Sequence, residues 1–211
     1  MSEVITEEQR NAEWHQARAG KFTGSKFVDL LARNKKTGKP LKAYDDLIWK
    51  IVCERFSGVV DDGPDGYALR WGREVEPFAI EAYELQTGGI VKTTGFIKHS
   101  TYDFVGVSPD GLVDEDGGLE IKCPKSLSVH LQRFMDGMPE EHVPQVQSCM
   151  WGTGRKWWDF ASYHPHAPES HRLLIIRNYR DDEYIANMER ETLIAEQLVQ
   201  ELTEKLQRAA A

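Results

Sequence analysis

The sequence predicts an α/β fold in which a mixed central sheet is flanked by helices. Three observations carry this. The first half and the C-terminal end space their apolar residues as helices do. The middle holds short apolar runs, Val91 to His99, Val105 to Ser108 and Leu119 to Cys123, bounded by Gly, Pro and Asp. After the middle, helical and strand-like stretches alternate. Helices, then strands, then helix and strands again fit a layered α/β core.

Along the chain, Thr6-x-x-Gln9 reads as a capping box opening a helix that runs to about Arg18, with Trp14 on its apolar side. Gly20 interrupts it, and Ser25 to Ala32 reads as a second short helix with Phe27, Leu30 and Leu31 on one face. Arg33 to Pro40 is a basic loop. Leu41 to Phe56 is helical through Tyr44, Leu47, Ile48, Ile51 and Val52. Ser57 to Gly66, rich in Gly and Asp, reads as a loop. Tyr67 to Thr87 is the longest helix of the first half, unless Pro77 opens a separate one.

The three apolar runs of the middle are expected to form a three-stranded meander, with Asp114 to Gly118 as a hairpin-like turn. Helices near Ser126 to Met135 and Glu141 to Trp151 follow, then strands over Lys156 to Tyr163 and Arg172 to Asn178. Asp181 opens a C-terminal amphipathic helix, apolar at Ile185, Met188, Leu193, Ile194, Leu198, Leu202 and Leu206. No repeat is evident, and the strand order does not follow from the pattern.

A chain of 211 residues is expected to be one domain, residues 1–211. Within it, 1–90 form a helical part, 91–178 the sheet core and 181–211 the last helix. Its three cysteines are scattered with no CxxC pair, which argues against a disulfide framework and for a reducing, cytoplasmic setting. Three are also too few for a four-cysteine iron–sulfur cluster. The acidic start resembles no signal peptide, and no apolar run is long enough to span a membrane. The net charge is −8, unevenly spread: Gln16 to Lys42 holds eight Lys/Arg against one acid, and the stretch from Asp181 onward holds three against eight. A local basic face is compatible with nucleic acid whatever the total charge.

The chemistry centres on Val105 to Pro124. Strand residues two apart share a face, so Glu120 and Lys122 point together while Leu119 and Ile121 point the other way. If the strands pair, Asp110 sits beside Glu120. A Glu/Lys pair on a strand is most often a solvated surface, but here both strands are apolar and central, where ionised groups are costly unless paired or metal-bound. Two carboxylates suit Mg²⁺ or Mn²⁺, and a lysine beside the metal orients or deprotonates a water.

The SPDG motif, the ten-residue step from Asp110 to Glu120, and EIKCP resemble the PD-(D/E)xK nuclease signature, in the form found in the lambda exonuclease and YqaJ-type viral recombinase family. The resemblance runs from about Trp14 to Glu189 in four motifs. It implies a restriction-endonuclease-like core with two ions per active site, held by Asp110, Glu120 and the carbonyl of Ile121. By the family's WG…E pattern, Glu76 is a third acidic residue near the metals or their waters, and Gln145 matches an active-site glutamine. The pattern WH..R.G..T.S from Trp14 to Ser25 matches a pocket for a terminal 5′-phosphate, with Arg18 and Ser25 as its donors and Ser108 beside the metals. Leu69 matches an apolar wedge between terminal base pairs, and Lys35, Lys36 and Lys39 a basic segment of differing length.

The activity so implied is Mg²⁺-dependent 5′→3′ exonuclease action on double-stranded DNA ends, preferably 5′-phosphorylated, releasing 5′-mononucleotides and leaving 3′ single strands. A homotrimeric ring, a single-strand annealing protein as partner and the cytoplasm of a bacterial or phage-infected cell go with it; no membrane association is expected. An endonuclease of the same superfamily, of restriction or junction-resolving type, shares Asp110, Glu120 and Lys122. A non-catalytic DNA-end-binding scaffold is the third alternative.

Overall fold

The computed structural model describes residues 3–6, 8–60 and 66–209. It has the mixed α/β class expected, built on two sheets. A four-stranded sheet has the order β1-β4-β5-β2, with β1 at Glu3–Val4, β2 at Phe22–Thr23, β4 at Ile97–Lys98 and β5 at Val105–Val107. A five-stranded sheet has the order β3-β6-β7-β8-β9: Val91–Lys92, Gly111–Val113, Gly117–Lys122, Trp157–Tyr163 and Leu173–Tyr179. Both are mixed, because β2 runs parallel to β5 and β7 parallel to β8.

Helices cover both faces of the five-stranded sheet. On one side lies α4, Tyr67–Thr87, a single helix with Pro77 inside it. Its Val75, Ala79 and Tyr83 recur every fourth residue and pack on Leu119, Ile121 and Ala161 of the sheet. On the other side α6, Val143–Thr153, places Val146 and Met150 against Trp158 and Val107, and so joins the two sheets. The short helices α1 (Ala12–Arg18) and α2 (Phe27–Leu30), with α3 (Lys42–Ser57), precede α4. Helix α5, Leu127–Asp136, is capped by Ser126. The last helix, α7, Asp182–Ala209, packs Ile185, Met188, Ala195 and Val199 against α2 and α3.

Several expectations are corrected. Helix α1 starts at Ala12, because Asn11 Oδ1 accepts from the Trp14 amide at 2.8 Å. The Thr6 hydroxyl instead accepts from the Phe96 amide at 2.8 Å, which ties the N-terminal segment to the sheet. Ser25 to Ala32 is a 3₁₀ turn, Gly24–Lys26, followed by the one-turn α2. The run from Val91 to His99 is two strands in different sheets, and the meander does not form. The β5 strand belongs to the four-stranded sheet, and a missed strand, β6, pairs with β7 in its place.

The expected turn over Asp114 to Gly118 is shorter than predicted. Gly117 and Gly118 are strand residues: an added Cβ would lie 1.9 Å from the Trp157 ring and 2.2 Å from the Trp158 ring, so the sheet needs glycine there. On α7, Leu193, Ile194 and Leu206 are exposed. Thr192 and Glu196 take inward positions instead. The center of the expected Ser57 to Gly66 loop, 61–65, lies outside the described residues, as do the last two alanines.

Candidate active site

Asp110 stands where β5 gives way to β6, so it belongs to the joint between the two sheets. Its carboxylate accepts a 2.6 Å hydrogen bond from the Ile121 amide on β7, which brings it beside Glu120 without the strand pairing first expected. Glu120 is 2 % exposed. Its Oε1 accepts from Lys122 Nζ and, at 2.6 Å, from Gln145 Nε2 on α6; Gln145 Oε1 in turn lies 3.3 Å from Lys122 Nζ. Leu119 and Ile121 face α4, as the period of two requires. Asp110, Glu120, Lys122 and Gln145 all line one cavity of about 390 Å³. Glu76 of α4 and Leu69, 58 % exposed, line it too.

The charges of this cavity are strongly coupled. Burial pushes the Asp110 carboxyl well above the usual range, and the neighbouring Glu120 charge adds to it. Burial pulls the Lys122 ammonium down, but the Glu120 and Asp110 carboxylates outweigh it and hold the pKa above that of an ordinary lysine. The other oxygen of Glu120, Oε2, is buried with no hydrogen-bond partner. An unmet carboxylate oxygen beside a second buried carboxyl is costly, and a cation between them would satisfy both. The donor set, hard oxygens of Asp110 and Glu120, therefore fits a divalent metal. Among the described residues no three or more His, Cys, Asp or Glu side chains form a metal cluster.

The residues matched to a 5′-phosphate pocket lie next to this cavity and do not line it. Ser108, two residues before Asp110, accepts from Trp14 Nε1 at 2.9 Å and from Arg18 Nη1 at 3.3 Å. The Arg18 guanidinium lies 3.9 Å from the centroid of the Trp14 ring. Ser25 is exposed in the 3₁₀ turn after β2, and the turn rests on α6: a Cβ at Gly24 would stand 3.6 Å from Gln145 Cγ. The hydroxyl of Thr23, in the same motif, is buried and unpartnered. Lys35 and Lys36 sit on an exposed loop away from the cavity.

Sequence reasoning missed three residues here. Arg10 lines the cavity and pairs with Glu76 at 2.8 Å from a left-handed backbone, φ 69°. Such a conformation is uncommon outside glycine and clusters at functional positions. Gln9 beside it donates to the Pro109 carbonyl at 2.8 Å and so props the loop that carries Asp110. Arg133 of α5 is the third. No periodicity marks any of them. The one local signal of Gln9 and Arg10, a polar pair before the WH motif, falls inside the first helix that the sequence predicts.

Comparison with known proteins agrees with this geometry. The model of the YqaJ-like viral recombinase domain matches residues 13–156. An alkaline exonuclease from Laribacter hongkongensis is 34 % identical, with a TM-score of 0.86 over 95 % of this chain and 98 % of its own. The same enzyme in complex with dAMP matches equally well. A phage-related exonuclease from Haemophilus somnus 129PT, 15 % identical, shares the fold at a TM-score of 0.74, over 88 % of this chain and 96 % of its own. No curated protein matches. With its family model covering most of the length and the fold shared end to end, the chain belongs to the YqaJ-like viral recombinase family.

Proposed function

We propose that this protein is a DNA exonuclease that degrades one strand of a duplex from its 5′ end, releasing 5′-mononucleotides and leaving a 3′ single strand. The observation that carries the reading is the meeting of Asp110, Glu120, Lys122 and Gln145 in one cavity, with a buried Glu120 oxygen left unpartnered. Asp110, Glu120 and the Ile121 carbonyl hold Mg²⁺ or Mn²⁺, two ions in the form the family resemblance implies. When bound, the metal supplies Lewis-acid activation of the phosphodiester and lowers the pKa of a water. Lys122 and Gln145 orient the attacking water in line with the leaving oxygen. Glu76, released from Arg10, positions further waters. Arg18, Ser25 and Ser108 take the terminal 5′-phosphate, where the guanidinium fork suits a dianion, and Leu69 wedges the end apart.

A homotrimer and a single-strand annealing partner belong to the same proposal. Phe78 and Leu85 of α4, two turns apart, and Ile90 beyond its end are 58, 81 and 76 % exposed, apolar side chains that an assembly could cover. The test offers linear duplex with a 5′-phosphate, the same DNA as a closed circle, and single strand, each with Mg²⁺ or EDTA. Mg²⁺-dependent release of mononucleotides from the linear duplex alone is expected. Nicking of the circle would replace the exonuclease by an endonuclease, and inertness toward all three would leave a binding scaffold.

A further inference from the structure

Arg133 lines the same cavity as Asp110, Glu120, Lys122 and Gln145, yet nothing above gives it a task. It is partly buried near the end of α5. A guanidinium taken from water needs an anion or a full set of acceptors. Among the described residues Arg133 makes no ion pair, its Nη1 donates to Ser162 Oγ at 3.0 Å, and its buried Nε has no partner.

The acceptor is itself locked in place. His130 is fully buried, and its Nε2 lies 2.7 Å from the His171 carbonyl, so Nε2 carries the proton. Burial lowers the His130 pKa and keeps the ring neutral, which leaves Nδ1 as an acceptor. The Ser162 hydroxyl, 2.9 Å from Nδ1, therefore donates to it and turns its lone pairs to Arg133. The guanidinium also lies 5.5 Å from the centroid of the Phe160 ring. One edge of Arg133 is held by a chain of donors and acceptors running into the core, and among the described residues its other donors have no acceptor. A guanidinium fixed this way on the wall of a nuclease cavity is organised for a phosphate oxyanion.

We propose that Arg133 binds a phosphate of the DNA processed in this cavity, with Ser162 and His130 as the residues that position it. The proposal rests on the nuclease reading above. The phosphate is either a diester of the strand being degraded or the monoester of the released nucleotide, and the chemistry is the same.

The experiment measures binding in EDTA, over a NaCl series, of 5′-phosphorylated duplex and of dAMP. The proteins compared are the unaltered chain, Arg133→Ala, Arg133→Lys, Ser162→Ala and the Ala/Ala double variant. Arg133→Ala is expected to weaken binding roughly 10- to 100-fold and to flatten the salt dependence by about 0.9, one phosphate contact. Arg133→Lys keeps the slope. Ser162→Ala shows a smaller loss that vanishes in the Arg133→Ala background. Loss toward dAMP with an unchanged duplex slope assigns Arg133 to the released nucleotide and still supports the proposal. Unchanged affinity for both ligands overturns it. If Arg133→Ala fails to fold, Arg133→Gln keeps a donor for Ser162 without the charge, and an unaltered slope there overturns the proposal equally. A chain that releases nucleotides from linear duplex while these variants bind normally refutes the Arg133 assignment alone; a chain that releases none refutes the nuclease reading.

Discussion

Lys122 neutralises the polar side of β7. Its ammonium contacts Glu120 and Gln145 at once, and Glu120 is almost wholly buried. Replacing it with alanine removes the donor proposed to orient the water and leaves Glu120 with a partly unpaired charge. Lys122→Ala is therefore expected to cut the rate of nucleotide release by about 100-fold or more and to cost on the order of 3 kcal/mol of stability. DNA binding at a temperature where the variant is folded should be largely kept. Single-turnover cleavage, equilibrium binding and chemical denaturation read the three effects, and binding lost as fully as cleavage would contradict the role. At this scale the pair was legible, because the strand period puts Glu120 and Lys122 on one face whatever the fold. Arg133 was not, because its significance lies in Ser162, which is distant in sequence and meets Arg133 and His130 only after β8 and α5 have packed.

Between α1 and α2 the chain carries the second half of the motif proposed to take the 5′-phosphate, Gly20 to Ser25, on very little regular structure, a two-residue strand and a single 3₁₀ turn. Longer helices hold it. Glu54 of α3, 1 % exposed, accepts from the Gly20 amide at 3.0 Å and pairs with Lys26 at 2.8 Å. Arg55 donates to the Gly20 carbonyl at 2.8 Å and pairs with Glu196 of α7. Gly20 has φ 67°, and a Cβ there would come within 2.4 Å of Arg55 Cγ, so the clamp closes only on glycine. Removing one member of such a buried pair costs about 3–5 kcal/mol. Glu54→Ala should lose that much stability and also blunt the preference for 5′-phosphate over 5′-hydroxyl ends. Arg18→Ala should remove most of the preference at little cost in stability. Denaturant midpoints and paired end-labelled substrates separate the two, and a full preference in Glu54→Ala would show that the clamp does not shape the pocket. The long helices were readable because their periodicity repeats over several turns. Strands β1, β2 and β6 were not, since two or three residues carry no period, and only pairing with partners far along the chain makes them strands.

Taken whole, the molecule is acidic, and its topology was the least legible level, since which strands pair is decided by contacts that no local pattern encodes. Charge was legible in outline, and the fold refines it. Of the basic residues between Gln16 and Lys42, Lys26 is taken up by Glu54, Arg33 by Glu191 of α7 and Lys42 by Asp46. The acidic helix thus neutralises part of the basic segment. Among the described residues Lys35, Lys36 and Lys39 make no ion pair. They project from an exposed loop whose turn is set by Asn34 Oδ1, which accepts from the Lys36 and Thr37 amides at 2.9 and 3.0 Å. Lysines held on a formed loop with no anion of their own are available to DNA phosphates beyond the cavity. Each phosphate so neutralised adds about 0.9 to the slope of log K against log salt. The triple change Lys35→Gln, Lys36→Gln, Lys39→Gln is therefore expected to weaken duplex binding at moderate salt and to lower the slope by up to about 2.7. The ratio of affinities for 5′-phosphate and 5′-hydroxyl ends should stay as it was, because the proposed function assigns that ratio to Arg18 and Ser25. A salt series on both duplexes decides it: an unaltered slope removes the loop from the DNA path, whereas a changed end preference would mean the loop reaches the terminal phosphate itself.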